Sequence, residues 1–353
     1  MVKNKKVKTS KKVKSNKIII GIIALLLIIL GAIYIIDNKK PKLILDNIIK
    51  FPKEEVIEKK VEIVDIDSKT RPYAVMINNI GAARPLQSGL QDAYIIYEII
   101  VEGGLTRYLA LFSDVDVKRI GSIRSARHYF LDYALENDAI YVHHGQSPQA
   151  KTDFSKLGID RIAVDSSKTG WRDRTLKVSS EHTLFTSTEN LAKGVGSKRS
   201  EKNKDFLLKY SVDALDLNKV ENSKVANNVI VQYSGSVTSS YTYDSENKVY
   251  NRSVNNKEHK DYITGKQYSF KNILVYQVPN YSIGDKSGRQ NIDNIGSGTG
   301  YYISEGIAVP ISWTKQSRSS KTIYKYENGE ELVVNDGNTF IQIQPKNKTL
   351  TIN

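Results

Sequence analysis

The stretch from Arg71 to Ser147 constrains the fold most, because it places charged side chains between the apolar segments that should build a core. In the segments VEGGLTRYLALF (101–112) and IGSIRSARHYF (120–130), ionic groups stand at the ends of hydrophobic runs and are flanked by glycines. Charged groups beside a core are costly to desolvate unless they pair with one another or serve a ligand. The stretch therefore encodes a polar site or an ion-pair network, and the residues alone leave both open.

Eight ionisable side chains are the candidate ligand-binding residues. They are Arg84, Glu98, Glu102, Arg107, Arg124, Arg127, His143 and His182. No catalytic role is assigned to any of them, because the chain has neither a nucleophile-elbow pattern nor an HExxH motif. No cofactor and no metal is predicted.

Glu98 and Glu102 stand four residues apart, so we expect them to share a face whether the run DAYIIYEIIV (92–101) is a strand or a short helix. In a helix their carboxyl groups would be neighbours, whereas in a strand they would lie about 13 Å apart. Only the close arrangement could raise a carboxyl pKa and support acid–base chemistry. Arg107 lies just beyond the Gly-Gly turn and could return beside one of them. A structural network and a ligand-binding or catalytic role both stay open.

Arg124 and Arg127 are expected on the first turn of a helix. Ser122 is the predicted N-cap, and the helix is predicted to run from Arg124 to about Glu136. Positive side chains at that end oppose the helix dipole. The unfavourable placement indicates partners, which are either acidic side chains or an anionic ligand that helix N–H groups also hold.

His143, His144 and His182 are the candidate proton carriers or metal ligands. Adjacent residues of the predicted strand AIYVHH (139–144) point to opposite faces, so His143 and His144 are not expected to bind one ion together. No spacing supplies the third ligand that a zinc site needs. A structural histidine is the alternative for each.

Ile18–Ile36 is a run of 19 residues without a charge or a proline. At 1.5 Å per residue it matches a bilayer core of roughly 30 Å. The run ends at Asp37 without a small-x-small cleavage site, so we predict an uncleaved signal anchor, a single transmembrane helix. The lysines of the basic tail (1–17) favour a cytoplasmic N-terminus, which places the C-terminal domains outside the cell.

The net charge of +14 is concentrated at the N-terminus. Residues 1–17 hold eight lysines and no acidic residue, so the rest of the chain accounts for +6. Binding to nucleic acid is not expected, because it needs a clustered basic surface. The chain has no cysteine, which excludes disulfides, thiolate metal sites and lipid attachment at a cysteine.

Composition divides the remaining chain into four parts. Residues 37–70 are predicted to be a solvated stalk, and residues 71–200 an α/β or α+β domain that carries the polar site. Residues 201–227 are expected to be a helical linker, and residues 228–353, with short Tyr- and Val-rich runs, a mainly antiparallel β domain. Within it, Gly296–Gly300 is interpreted as a glycine-rich turn or bulge, because the Lys-Ser/Thr of a phosphate loop is missing.

The segments RPYAVMINN, ARPLQSGLQDAYIIYEIIVEGGLTRYLALF, IGSIRSARHYFLDYALENDAIYVHHGQSPQA and GSGTGYYISEGIAVPISWTK resemble the YerB-like family of bacterial cell-envelope proteins. That family is a two-part domain of unknown function, and the resemblance spans roughly 71–353. The positions that match its pattern are Asn78, Arg84, Pro85, Gln87, Gly89, Asp92, Glu98, Glu102, Gly103, Gly104, Arg107, Arg124, Arg127, His143, Gly145 and His182. The resemblance implies an extracytoplasmic protein, generally a lipoprotein. This chain departs from that pattern because it has no lipobox cysteine, and Ile18–Ile36 would replace the lipid anchor.

These observations predict a membrane-anchored protein of the bacterial cell envelope that binds a polar or anionic ligand. The expected partners are the membrane, through residues 18–36, and a cell-wall component or another envelope protein. One alternative is an envelope hydrolase or transferase with Glu/His acid–base chemistry. Another is a structural interaction module in which the ionic groups only support the scaffold.

Overall fold

Strands make up most of the part of the chain that the computed structural model describes, which is Leu26 and residues 60–353. The first ten strands are β1 (Tyr73–Asn78), β2 (Ile95–Ile100), β3 (Thr106–Phe112), β4 (Ile120–Gly121), β5 (Ile140–His143), β6 (Arg161–Ala163), β7 (Trp171–Arg172), β8 (Leu184–Thr186), β9 (Lys209–Ser211) and β10 (Lys224–Val225). The later strands are β11 (Asn228–Gln232), β12 (Thr238–Asp244), β13 (Val249–Val254), β14 (Lys257–Glu258), β15 (Ser269–Phe270), β16 (Asn272–Val278), β17 (Asn280–Ser282), β18 (Gln290–Ile292), β19 (Gly296–Ser304), β20 (Ile307–Lys315), β21 (Ile323–Tyr326), β22 (Val333–Asn335), β23 (Thr339–Pro345) and β24 (Leu350–Ile352). Within residues 60–353 the α-helices are α1 (Phe130–Glu136), α2 (Pro148–Lys156) and α3 (Thr188–Gly194), so the fold is mainly β.

One sheet of eleven strands receives strands from both of the predicted domains. Its order is β10-β20-β19-β16-β23-β2-β3-β1-β5-β6, with β21 paired to β20. The two halves of the chain meet where β23 lies parallel to β2 on one side and to β16 on the other. Every residue of β23 is buried, as expected for a central strand that is covered on both faces. The predicted boundaries at residues 200 and 228 stay a prediction.

A second sheet packs against this one across a shared core. Its order is β14-β13-β12-β11-β24, with β15 paired to β13. Phe340 of β23 contacts Tyr241 of β12 and Phe270 of β15, with ring centroids 5.9 and 4.8 Å apart. The smaller pairings are β4-β8-β7, β9-β22 and β17-β18.

Several predicted elements of the first half are confirmed. The strands expected at YAVMIN, TRYLALFS and AIYVHH are β1, β3 and β5, and the ambiguous run 92–101 contains the strand β2. Helix α2 begins after Ser147, whose Oγ accepts a hydrogen bond from the backbone N–H of Ala150 at 3.2 Å. These elements carry local signals, which are apolar runs, a capping serine and a proline at the first helical position.

The predicted helix from Arg124 is wrong in its first half, because α1 begins only at Phe130. The preceding segment bonds to β1 and to the loop after β5 instead. The N–H of Arg124 donates to the carbonyl of Met76 at 2.9 Å, and the N–H of Ala126 donates to the carbonyl of Gly145 at 3.0 Å. Tertiary partners therefore satisfy this backbone and override its helix propensity. The predicted N-cap and the helix-dipole argument for the two arginines are wrong with it.

Two expectations for the second half are also wrong. Residues 201–227 contain β9, β10 and one 3₁₀ turn, Leu217–Lys219, rather than a helix. Gly296–Gly300 belongs to the strand β19 and is neither a turn nor a bulge. Glycine at this position allows the neighbouring strand β16 to approach closely, since a Cβ atom on Gly300 would lie 2.4 Å from the carbonyl oxygen of Val275.

The end of the predicted stalk packs on the folded unit. Val64 is only 4% exposed, and the N–H of Ile63 donates to Oδ1 of Asp336 at 3.1 Å. Order therefore begins before Arg71. The basic tail, the rest of the stalk, and all of the anchor Ile18–Ile36 except Leu26 lie outside the described residues. Among the residues that are described, no helix has both the length and the apolar character to cross a membrane.

Candidate functional site

A tight turn between β2 and β3 positions Glu102 and Arg107. The 3₁₀ turn Glu102–Gly104 reverses the chain direction. Gly103 and Gly104 adopt positive φ angles of 66° and 69°, a conformation that glycine takes without steric cost. Arg107 then lies at the second position of β3, paired in register with Asn78 of β1.

Acidic and basic side chains converge beyond this turn in a group that we name the arginine cluster. It comprises Arg107, Arg124, Arg127, Glu102, Glu181 and His182. The Nη2 and Nε atoms of Arg127 donate to the two carboxylate oxygens of Glu102, and the Nη2–Oε2 distance is 2.9 Å. The same Oε2 lies 3.9 Å from Nη2 of Arg107, whose Nη1 donates to the carbonyl of Ser125. One carboxylate is therefore shared by two guanidinium groups.

Arg124 enters the cluster from the segment before α1 and pairs with a later loop. Its Nη2 lies 2.6 Å from Oε2 of Glu181, while Oε1 of Glu181 lies 3.5 Å from Nε2 of His182. The Nδ1 atom of His182 accepts a hydrogen bond from Nδ2 of Asn78 at 3.0 Å, so its proton is on Nε2, which faces the carboxylate. His182 is 4% exposed, whereas the side chain of Glu181 is half exposed.

Burial and mutual repulsion destabilise the positive charge of Arg107. Burial, and then the charge of Arg127, lower its pKa to about 9, and Arg124 acts in the same direction. Burial alone would raise the pKa of Glu102, but its hydrogen bonds and ion pairs with Arg127 and Arg107 more than offset that effect and hold the pKa below its usual value. Burial lowers the pKa of His182, so its imidazole is neutral at pH 7. An added negative charge would relieve the repulsion among the arginines.

Buried polar atoms in this region that lack a hydrogen-bond partner, in the part of the chain that the structure describes, include Nε of Arg124, Oγ of Ser122 and the hydroxyl of Tyr141. Buried polar groups are rarely left unsatisfied, so these atoms are exceptions. The arginine cluster also sets three guanidinium groups against two carboxylates. This arrangement can hold an anion with hydrogen-bond acceptor atoms.

Glu98 lies on the opposite face of the sheet and belongs to another network. Its Oε1 accepts from Oγ1 of Thr106 at 2.7 Å, and Thr106 and Arg107 are adjacent on β3, so they point to opposite faces. Its Oε2 accepts from Nη2 of Arg252 at 2.8 Å, and neither side chain is exposed. The expectation that Glu98 and Glu102 share a face is therefore wrong, because the strand ends between them.

This second network is closed between the two sheets. Further side chains surround Glu98 and Arg252 with hydrogen bonds: Ser239, Tyr241, His259 and Gln342. Burial, and then the charge of Arg252, hold the pKa of His259 well below its usual value, so the arginine faces a neutral imidazole. Glu98 is thus a structural residue that solvent does not reach.

Arg84 and His143 make their contacts away from the arginine cluster. The Nε atom of Arg84 donates to Oδ1 of Asn79 at 3.0 Å, and Asn79 in turn donates to Thr106, which connects Arg84 to the network of Glu98. His143 donates from Nδ1 to the carbonyl of Gly145 at 2.8 Å, and its ring lies 4.9 Å from that of Phe154. Burial lowers its pKa to about 4. The structure therefore brings together five of the eight candidates, which are Glu102, Arg107, Arg124, Arg127 and His182.

Two important residues were missed by the sequence analysis. Arg252 lies between Tyr250 and Val254 on the buried face of β13, where every second residue points into the core. An arginine at the same spacing as core residues was the signal that the sequence offered. Glu181 precedes His182, and nothing in the sequence relates it to Arg124. Within residues 60–353, no three His, Asp or Glu side chains are grouped so that they could hold a metal ion.

Comparison with known proteins gives matches over both halves of the chain. A protein-family model described as "Protein of unknown function (DUF3048) N-terminal domain" matches residues 61–204. The model of the C-terminal domain of the same family matches residues 226–341. A protein of Bacillus subtilis, "Putative lipoprotein YerB", is 32% identical over 286 residues, which are 79% of this chain and 82% of that protein. The crystal structure of the YerB protein from Bacillus subtilis matches with a TM-score of 0.68 at 30% identity, over 80% of this chain and 94% of the other.

Proposed function

Because the chain belongs to the YerB-like family, a two-part domain of unknown function, we propose that it is an extracytoplasmic protein of the cell envelope. Residues 18–36 form its transmembrane anchor in this proposal, with the N-terminus in the cytoplasm and the domains outside. The similarity to a Bacillus subtilis protein described as a lipoprotein supports attachment to a membrane. The arginine cluster binds an anionic group, a phosphate or a carboxylate, of a cell-wall component or another envelope protein.

The observation that carries the binding proposal is the excess of guanidinium groups over carboxylates. Arg107 and Arg127 share Glu102, and Arg124 pairs with the half-exposed Glu181. An anion would offset the repulsion that lowers the pKa of Arg107. Charge-assisted hydrogen bonds from arginine to phosphate or carboxylate are among the stronger polar contacts in proteins.

No specific observation favours the hydrolase or transferase alternative. Glu98 is buried with Arg252, and Glu102 is held by two hydrogen bonds from Arg127. Glu102 has a lowered pKa, whereas a general acid at neutral pH needs a raised one.

Binding is tested on the full-length chain, purified in detergent, with inorganic phosphate and acetate as probes. We expect saturable binding by calorimetry and a rise in Tm with each bound probe. Arg124→Gln should weaken the binding about tenfold, the loss of one charge-assisted hydrogen bond. Arg174→Gln removes an exposed arginine outside the cluster and is the matched control. If phosphate, acetate and soluble wall fragments all fail to bind, the cluster is a structural network and the binding proposal is rejected.

The membrane topology is tested separately. Because the chain has no cysteine, an introduced cysteine is its single thiol and the only site that a maleimide can label there. Lys257→Cys introduces a thiol at an exposed position of the β-rich half, and Lys5→Cys introduces one in the basic tail. In intact protoplasts a membrane-impermeant maleimide should label the first and should label the second only after permeabilisation. Labelling in the reverse order would reject the extracytoplasmic placement.

A further inference from the structure

Arg172 is a half-buried residue of β7 whose positive charge has no carboxylate partner within residues 60–353. Its Nη1 donates to the carbonyl of Ser180, and its Nη2 lies 3.2 Å from Nε2 of His144. The Nδ1 atom of His144 lies 2.9 Å from the carbonyl oxygen of Val164, so Nδ1 carries the proton and Nε2 accepts from the arginine. A carbonyl oxygen and an imidazole nitrogen hold this guanidinium group in place without neutralising it.

Two contact paths place Arg172 next to Arg124 of the arginine cluster. Ser180, the acceptor of Arg172, precedes Glu181 in the sequence, and Glu181 pairs with Arg124 at 2.6 Å. On the other path, the backbone N–H of His144 donates to the carbonyl of Arg124 at 3.1 Å. The side chain of the same histidine accepts from Arg172. The two guanidinium groups are therefore neighbours in space.

Both of these guanidinium groups can be reached from solvent. The side chain of Arg124 is 22% exposed. Arg172 uses two of its five N–H donors, and its Nε, which makes no hydrogen bond in the described part of the chain, is not buried. Arg107 and Arg127, by contrast, are mostly buried and share the carboxylate of Glu102. The accessible positive charges are those of Arg124 and Arg172.

With Arg172 counted, four guanidinium groups stand against two carboxylates. The guanidinium groups are those of Arg107, Arg124, Arg127 and Arg172, and the carboxylates are those of Glu102 and Glu181. Burial lowers the pKa of Arg107 only to about 9, so this side chain is still charged at pH 7, whereas His182 is neutral there. The group carries two positive charges in excess.

Other charges nearby do not remove this excess. The carboxylate of Asp165, near His144, interacts with the positive charge of Lys168. Asp173 pairs with Arg119 at 2.9 Å. Each of these two carboxylates has a positive partner of its own, so both excess charges remain for a ligand.

We propose that the ligand carries two anionic groups a few bonds apart, one bound by Arg124 at the arginine cluster and the other bound by Arg172. This inference rests on the proposed anion binding and adds a second subsite to it. Two negative charges match the excess, and a guanidinium group can make paired hydrogen bonds to a carboxylate or a phosphate. Because Ser180 and His144 already hold Arg172, its side chain loses little freedom when it binds.

The test is calorimetry on the full-length chain in detergent, at pH 7 and constant ionic strength. Acetate is the reference for malonate, succinate and glutarate, which hold two carboxylates at increasing separation, and inorganic phosphate is the reference for pyrophosphate. We expect at least one of the doubly anionic probes to bind about tenfold more tightly than its reference, the gain from one further charge-assisted hydrogen-bonded contact. A larger gain for a dicarboxylate assigns paired carboxylates, and a larger gain for pyrophosphate assigns linked phosphates.

Variants of Arg172 separate the second subsite from a general effect of charge. Arg172→Gln should abolish the gain and change the binding of acetate little, because acetate needs only the first subsite. Arg172→Lys keeps the charge without the paired donors and should retain part of the gain. Arg174→Gln removes an equal charge at an exposed position two residues away and should retain all of it, so it is the matched control. Thermal unfolding confirms that each variant is folded.

The outcomes distinguish this inference from the proposal on which it rests. If acetate and phosphate bind but no doubly anionic probe gains, the second subsite is rejected and the anion binding stands. The same conclusion follows if Arg172→Gln and Arg174→Gln reduce the gain equally. If neither the reference probes nor the doubly anionic probes bind, the anion-binding proposal fails and this inference fails with it.

Discussion

Arg252 of β13 and Glu98 of β2 form an ion pair with 2.8 Å between Nη2 and Oε2, and neither side chain is exposed to solvent. The pair connects the second sheet to the central sheet, and it lies on the opposite face of the central sheet from the arginine cluster. A buried pair of this kind adds little net stability, since its desolvation offsets the attraction. Removing one partner has a large effect, because it leaves the other charge buried alone.

We therefore expect Arg252→Leu to lower the free energy of unfolding by about 3–5 kcal/mol, measured by denaturation in guanidinium chloride. Adding Glu98→Leu should recover part of the loss, because the unpaired carboxylate is then gone. Lys193→Gln breaks the exposed pair with Glu189 and should change the stability little. A double variant less stable than Arg252→Leu alone would contradict this account.

His143 makes the stability depend on pH. Its pKa in the folded chain is about 4 because it is buried, whereas an unfolded chain has a histidine pKa of about 6.5. Between these values the unfolded chain binds the proton and the folded chain does not, so stability falls as the pH falls. The slope is at most about 1.4 kcal/mol per pH unit. His143→Phe should reduce it, and His144→Phe, at an exposed position, should not. Equal slopes in wild type and His143→Phe would reject the assignment.

The two glycines of the β2–β3 turn should respond differently to alanine. Both have positive φ, so Gly103→Ala should cost about 1–2 kcal/mol from backbone strain alone, because nothing lies within 4 Å of the added Cβ atom. Gly104→Ala should cost more, since its Cβ atom would lie 2.9 Å from Cβ of Ser234. Thermal unfolding measures both. Equal losses would show that the contact with Ser234 relaxes freely.

Glu102→Gln should move anion binding in the direction opposite to Arg124→Gln. The substitution removes a carboxylate that now neutralises Arg107 and Arg127, so the affinity for phosphate should rise about threefold or more. The stability should fall at the same time, because Arg127 loses its paired acceptor. Calorimetry and thermal unfolding of the one variant measure both effects. Weaker phosphate binding would argue that Glu102 positions the arginines and does not merely compete for them.

Local signals predicted local structure well. The buried strands β1 and β3 contain the apolar runs YAVMI and YLALF, and α2 has its capping serine and proline in sequence. The segment from Arg124 had comparable helical signals, yet its backbone bonds to Met76 and Gly145. Those carbonyls lie about 50 and 20 residues away in sequence, and no local pattern can represent their competition.

The sequence by itself determined that charged side chains would stand beside the core between residues 71 and 147, because apolar runs with ionic ends leave no other placement. Only the tertiary structure decided which charges pair. Glu98 reaches Arg252, which lies 154 residues later, while Glu102 four residues on reaches Arg127 on the other face. Pairing energies depend on distance in space and on the exclusion of water, and neither follows from separation along the chain.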